Sequence, residues 1–450
     1  MSMELSEQRD VTMWRKRLQL GLIHTAVAIT LVPFTSTLNR VMIYEMGLAA
    51  TVVTLLVALP YFFSPIQVAI GSYADRHPVA GWRRTPYILL GLLMCVGGAF
   101  LAPQAVRVVE AQGWTALALA LSAAAFGAWG MGYNFAAVSY LSLASEIDEQ
   151  GRSRTISTMF FMMIIGIILT AAAVGHMVDP YSLDALRRAF WAVGSAALVI
   201  GLIGLLALEP RAELLGATEE RHSWQQMLST VWSNPQARLF FVYLVVLLAA
   251  LLGQDVLLEP FGGQALGLSV QATTRITSIW GTCMLVALIA AGWLQMRFSK
   301  RGLARVGAWA ALIGFLAIAI SGLAISRGLF YGGIMVLGLG TGLSTVANLS
   351  LMLDMTTAQN VGLYMGAWGV ANAISRLMGQ LMSGVVRDLL TRAVANPAVA
   401  YVAVFVIEAA FVGASLIMLR HVDVVAFRRA ASDQPLPLPE RAALLGEAGD

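Results

Sequence analysis

Apolar windows of about 20 residues, the length that crosses a bilayer core, recur along the chain with short polar interruptions. They fall near 18–38, 48–71, 86–106, 114–138, 156–178 and 189–208, and resume near 238–257, 274–295, 303–325, 329–353, 362–386 and 398–419. The pattern predicts an all-α membrane protein of twelve transmembrane helices in two six-helix halves. One long polar break, 209–238, separates the sets. The expected organisation is therefore a first half over 1–208, a cytoplasmic central loop over 209–238, a second half over 239–420 and a cytoplasmic tail over 421–450.

Composition agrees with the windows. The chain is 58% hydrophobic and 12% charged, with a mean hydropathy of +0.75, against roughly 25% charged in a soluble domain. Its 42 glycines suit helices that pack closely in lipid. Cys95 and Cys283 lie far apart in apolar runs, which suggests neither a disulfide framework nor a thiolate metal site. The net charge of +4 is too small and scattered for a nucleic-acid partner. The "RKR" at 15–17 precedes an apolar run without a cleavage pattern, so that run reads as a retained anchor.

Basic residues set the orientation. With the N-terminus taken as cytoplasmic, that face collects 20 lysines and arginines and the other face 8, among them Arg40, Arg275 and Arg387. Both termini are expected in the cytoplasm. The acidic stretch "QDVLLEPFGG" is then expected on the opposite side.

The halves look duplicated. "GSYADRHPVAGWRRTPY" (71–87) lines up with "GWLQMRFSKRGLARVGAW" (292–309) at an offset of 221, and "LSLASEIDEQGR" with "LSLMLDMTTAQNVG" at 208, which sets Glu146 against Asp354. The first loop, with Gly71, Asp75 and Arg76 followed by Arg83 and Arg84, resembles the loop between helices 2 and 3 of the major facilitator superfamily. That resemblance implies a cytoplasmic latch holding the inward-closed state, with Asp75 and Arg84 expected in the network; Asp148, in a loop with several other charges, is expected to matter less. Met296 stands opposite Asp75 in the second half, which puts a symmetric latch in doubt.

Longer segments carry a sharper resemblance. "GWRRTPYILLG" (81–91), "QDVLLEPFGGQALGLSVQATTRIT" (254–277) and "LMLDMTTAQNVGLYMGAWGVANAISRLMG" (351–379) are similar to the bacteriochlorophyll-delivery (PucC/LhaA) family of that superfamily. The resemblance implies a light-harvesting complex assembly factor in the inner, intracytoplasmic photosynthetic membrane of a phototroph. It implies transient binding of bacteriochlorophyll, with antenna polypeptides and pigment-synthesis enzymes as partners. The alternative is a proton-coupled secondary transporter of a small solute. No catalytic constellation is present: there is no G-x-S-x-G elbow, phosphate loop or paired ligand histidines, so no enzyme is expected.

Polar residues inside the spans are the candidate sites. Asp255 and Glu259 lie four apart, on one face of a continuing helix. Pro260, Gly262 and Gly263 are expected to stop that helix at its outer end, with Arg275 bridging the acids or an incoming partner meeting them. Arg376 and Glu408 can pair between adjacent helices, or Glu408 can couple protons. His24 can ligate a chlorin magnesium or hydrogen-bond a neighbouring helix. Asn39, Gln254 and Glu259 offer oxygen ligands to the same ion.

Overall fold

The computed structural model describes residues 2–63, 66, 70, 73–74, 76–148, 151–211, 231–355, 361–394, 396–424 and 426–427. Among these residues, twelve helices account for the apolar windows. In the first half they are α1 (Ser2–Ile29), α2 (Ala50–Phe62), α3 (Thr85–Gln112), α4 (Ala116–Ile147), α5 (Arg152–Met177) and α6 (Leu183–Leu205). In the second they are α7 (Pro235–Gly253), α8 (Val270–Leu294), α9 (Lys300–Ala324), α10 (Arg327–Asp354), α11 (Val361–Ala393) and α12 (Pro397–Leu419). Among the described residues, ten segments are long and apolar enough to cross a membrane; α2 is described over 13 residues only, and α11 carries a polar face. Residues 212–230 of the central loop and the tail from 428 lie outside the described residues.

Most helix starts are written locally. Thr115, Ser182, Asn234, Ser269, Ser299, Ser326 and Asn396 each accept a backbone N–H of the turn they open, the usual remedy for the unpaired donors of a first turn. Proline in the first turn presets α3, α7 and α12. Among those of the twelve starts with a described cap, three lack a capping side chain on the preceding residue, those of α2, α3 and α5. α2 begins after Ala49 and α3 after Arg84, neither with a side-chain cap. Both are capped by distant carboxylates: Asp388 takes the N–H groups of Ala50 and Thr51, and Glu209 those of Arg83, Arg84 and Thr85.

The duplication is visible in the packing. A Cβ on Gly91 would stand 2.5 Å from the Gly132 carbonyl oxygen, so α3 and α4 approach backbone to backbone, and Gly307 meets Gly340 of α9 and α10 in the same way at 2.9 Å. Gly132 and Gly340 are separated by 208 residues, as Glu146 and Asp354 are. The first helix of each pair relates instead at 216 residues (Gly91 to Gly307, Gly98 to Gly314). The loop offset of 221 therefore does not extend into the helices: the two preceding loops differ in length, and Met296 is an exposed loop residue.

Candidate functional site

α1 runs on as part of a span over Val11–Glu45. Pro33 lies within it. A proline lacks the N–H that would reach four residues back and its ring crowds that carbonyl, and here the register widens to π-helix over Pro33–Leu38 and again over Val41–Glu45. Such widenings often sit at functional places. This one turns Ser36, Asn39 and Arg40 toward the second half. The Ser36 hydroxyl donates to the Glu259 carboxylate, the Asn39 amide to the Val256 carbonyl at 2.5 Å, and Arg40 to the Leu268 carbonyl at 3.0 Å. Thr277 of α8 donates to the same Glu259 oxygen at 2.9 Å. A carboxylate of the second half thus holds a hydroxyl from each half.

Asp255 and Glu259 do not share one helix face. α7 ends at Gly253, a 3-10 turn spans Gln254–Val256, and a short helix follows over Leu258–Leu266. Pro260 and Gly262 lie inside that short helix rather than ending one, because proline is tolerated in a first turn, where its missing N–H would be unpaired anyway. Arg275 is exposed and bridges neither acid. Asp255 instead pairs with Arg376 of α11 at 3.1 Å. Close packing brings them together: Gly379, one turn beyond Arg376, rests on Gly253 and the Ala249 carbonyl, where a Cβ would collide. Gln254 donates to the other Asp255 oxygen at 2.7 Å, while Tyr61 of α2 contacts Arg376 at 3.3 Å and lies beneath its guanidinium.

Glu408 and Arg376 do not form the expected pair. Glu408, fully buried, accepts from Ser383 at 3.0 Å. Further along α11, Arg387 donates to Gln264 at 3.1 Å and pairs with Asp388 at 2.8 Å. Arg376, Gln380, Ser383 and Arg387 recur at helical spacing and so form one polar stripe. Arg40 and Arg387, read from the sequence as loop charges, are both buried in this seam.

His24 has no room for a macrocycle. Its ring is buried between Tyr140 at 5.0 Å and Phe160 at 4.9 Å. Asn39, Gln254 and Glu259 are likewise enclosed in helix contacts. None of the four fits magnesium ligation of a chlorin in this conformation. The apolar crevice lined by Leu38, Met42, Val106 and Phe126 holds only about 10 Å³, far below the roughly 300–1,000 Å³ of ligand pockets.

The side bearing both termini carries a second network. Gly71 and Asp75 lie outside the described residues, and Arg76 is exposed. Arg83 and Arg84 pair with Glu146 at 3.0 and 2.8 Å, and Lys300 pairs with Asp354 at 2.7 Å at the equivalent place in the second half. Asp148 is no ordinary loop charge: it is buried and bonded to Arg17 at 2.7 Å and Thr155 at 2.6 Å. Burial pushes its carboxyl up, but Thr155, Arg17 and the Gly151 N–H together hold it below the usual aspartate range.

The halves meet on the side away from the termini. α5 and α8 touch from Ile168 and Gly281 to Asp179 and Ser269. Toward the terminal side their surfaces carry exposed Phe160, Phe161, Val286, Ile289 and Trp293. Sequence reasoning missed Ser36, Tyr61, Gly253, Gly379 and Asp388. A proline within the first span and the spacing of polar residues along α11 were the available signals.

Comparison with known proteins extends this picture. The profile of the family described as PUCC protein matches residues 37–427. The chain is 32% identical to Protein PucC of Cereibacter sphaeroides, over 90% of this chain and 91% of that protein. It is 30% identical to the protein named Bacteriochlorophyll synthase 44.5 kDa chain of Rhodobacter capsulatus, over 84% of this chain and 88% of that one. Among solved structures, a bacterial homolog of the human lysosomal transporter Spinster, inward-facing and unoccupied, superposes with a TM-score of 0.69 at 15% identity, covering 94% of this chain and 98% of that chain. The nucleoside transporter NupG superposes at 0.65 and 14% identity, covering 93% and 100%. These likenesses establish the fold, that of the major facilitator transporters.

Proposed function

Because the chain belongs to the PUCC protein family, we propose that it assists light-harvesting complex assembly by taking up bacteriochlorophyll and handing it to antenna polypeptides, without chemical turnover. The observation that carries the reading is the likeness, over most of the chain, to PucC proteins and to a protein named for bacteriochlorophyll synthase. The coarser statement, a multi-pass membrane protein related to photosynthesis, stands on the same likeness. Geometry supports the finer one. A seam closed on one side, with α5 and α8 presenting phenylalanines and tryptophan on the other, offers an apolar ligand a lateral route from lipid. The proposed setting is the inner, intracytoplasmic photosynthetic membrane with both termini cytoplasmic, and pigment-synthesis enzymes are proposed as further partners.

The test is the absorption spectrum of the full-length protein purified from its native membrane. Bound chlorin bands are expected, together with reduced near-infrared antenna absorbance in a strain lacking the gene. Pigment-free protein and an unchanged antenna spectrum would overturn the reading. A proton-coupled solute transporter is the second reading, favoured by one observation: Glu408 is fully buried and one of its oxygens has no hydrogen-bond partner. Solute uptake by proteoliposomes under a proton gradient separates it from the first.

A further inference from the structure

Arg376 lies near the middle of α11, on the face opposite the exposed Ile374, Met378, Val385 and Leu389. Two residues beyond Ile374 is a turn of about 200° on a helix, so its guanidinium points into the bundle and not toward lipid. Even so, 29% of its side chain is accessible, and 24% of Asp255. Surface that is accessible yet faces inward belongs to an internal opening. With the halves joined through Ser36–Glu259, Thr51–Asp388 and Ser278–Ile168 on the far side, that opening leads to the terminal side.

The guanidinium is only half used. Both of its contacts, to Asp255 and to Tyr61, run through Nη1. Nε and Nη2 have no hydrogen-bond partner among the described residues and are not sealed from solvent. These are the parallel donors with which arginine grips a carboxylate at two points. Gln254 fixes Asp255 on the Nη1 side, so the acid is positioned to orient Arg376 and leave the other edge free. A charge at this depth is costly unless it meets an opposite charge or a polar ligand.

We propose that the free Nε and Nη2 edge of Arg376 binds the carboxylate of an amphipathic ligand entering from the terminal side. Given the pigment reading above, on which only the body of the ligand rests, that ligand is the unesterified tetrapyrrole, with a free propionate, taken up in addition to the esterified pigment that goes to antenna polypeptides. Such an anchor needs no magnesium ligand, in keeping with the enclosed His24.

The experiment uses the full-length protein in phosphatidylcholine nanodiscs, with metal-free pheophorbide a and its methyl ester as probes and quenching of protein tryptophan fluorescence as readout. The free acid should bind about 10- to 100-fold more tightly than the ester, the range expected of hydrogen bonds to charged groups. Arg376→Gln should abolish that preference while leaving ester affinity unchanged. The double variant Arg376→Gln with Asp255→Asn, which leaves no lone buried charge, should do the same if the single variant folds poorly. Equal binding of acid and ester by the unaltered protein would overturn the carboxylate anchor and leave the pigment reading standing. Binding of neither would overturn both. Loss of acid binding in phosphatidylglycerol discs would assign the site to a lipid phosphate and overturn the tetrapyrrole assignment.

Discussion

Asp388 of α11 accepts the backbone N–H of Thr51 at 2.7 Å, so a carboxylate of the second half serves as the cap of a first-half helix. The same carboxylate takes the Thr51 hydroxyl and the Ala50 N–H. α2 starts on an alanine with no capping side chain, and its first turn is paired only while the halves touch on this side. Capping and closure are one interaction.

Asp388→Ala should therefore loosen the closed side. Losing a cap costs about 0.5–2 kcal/mol, which corresponds to an opening population about 2- to 30-fold higher. A cysteine replacing the buried Thr274, at the α5–α8 contact, would report it in a background with Cys95 and Cys283 changed to serine. Its labelling by a membrane-impermeant maleimide should accelerate by that factor. Asp388→Asn, which keeps an acceptor oxygen, should accelerate it less. An unchanged rate in the alanine variant would mean that α2 is held by packing alone.

Gly379 tests how packing makes the ion pair. A Cβ there would press on the Ala249 carbonyl and stand 2.9 Å from Gly253, whereas one on Gly369 of the same helix would meet nothing within 4 Å. Gly379→Ala should destabilise the protein by about 1–3 kcal/mol, as overpacking does. Gly369→Ala should be neutral or gain up to about 1 kcal/mol from helix propensity. Thermal unfolding of the two purified variants in one detergent checks the contrast, and equal midpoints would refute it.

The sequence patterns that located the spans could not locate the seam, for a physical reason. Length and apolarity are local, and so are most of the caps; the twelve helices follow from them. The equivalence of Glu146 and Asp354 was legible because duplication leaves an offset behind. Asp255, by contrast, has its partner 121 residues away, while the nearby Arg275 is exposed. Neither periodicity nor charge order distinguishes the two. Arg40 looked like a loop charge because a polar residue at the end of an apolar window ordinarily is one. Only the π-helical continuation of α1 carries it into the seam.

The repeat-related ion pairs should differ in weight although they occupy equivalent places. Glu146 serves two arginines, one of them with a side chain only 5% accessible, whereas Lys300 and Asp354 are 36% and 33% accessible. A solvated pair contributes about 0–1 kcal/mol; leaving a buried guanidinium short of an acceptor costs about 1–3 kcal/mol. Glu146→Gln should lower the unfolding midpoint more than Asp354→Asn under identical conditions. The opposite order would show that accessibility is a poor guide to the strength of these contacts.

Asp148 gives the pH dependence its sign. Its carboxyl titrates below the usual aspartate range because, against the effect of burial, Thr155, Arg17 and the Gly151 N–H favour the ionised form. An unfolded chain would take up its proton near pH 3.9, before the folded protein does. The stabilisation is thus complete above about pH 3.9 and is lost as pH falls through the lower folded-state value. Asp148→Asn should cost about 1–3 kcal/mol at neutral pH, since Arg17 is left without its charged acceptor. The difference in unfolding midpoint between the unaltered protein and the variant should stay constant from pH 8 to about pH 5 and shrink on further acidification. Because Arg17 belongs to α1 and Asp148 follows α4, the same loss should free the start of α1, exposing a cysteine at Gln19, which otherwise donates to the Leu206 carbonyl. A midpoint difference that persists undiminished to pH 3 would mean that the aspartate acts through its shape and hydrogen bonds and not through its charge.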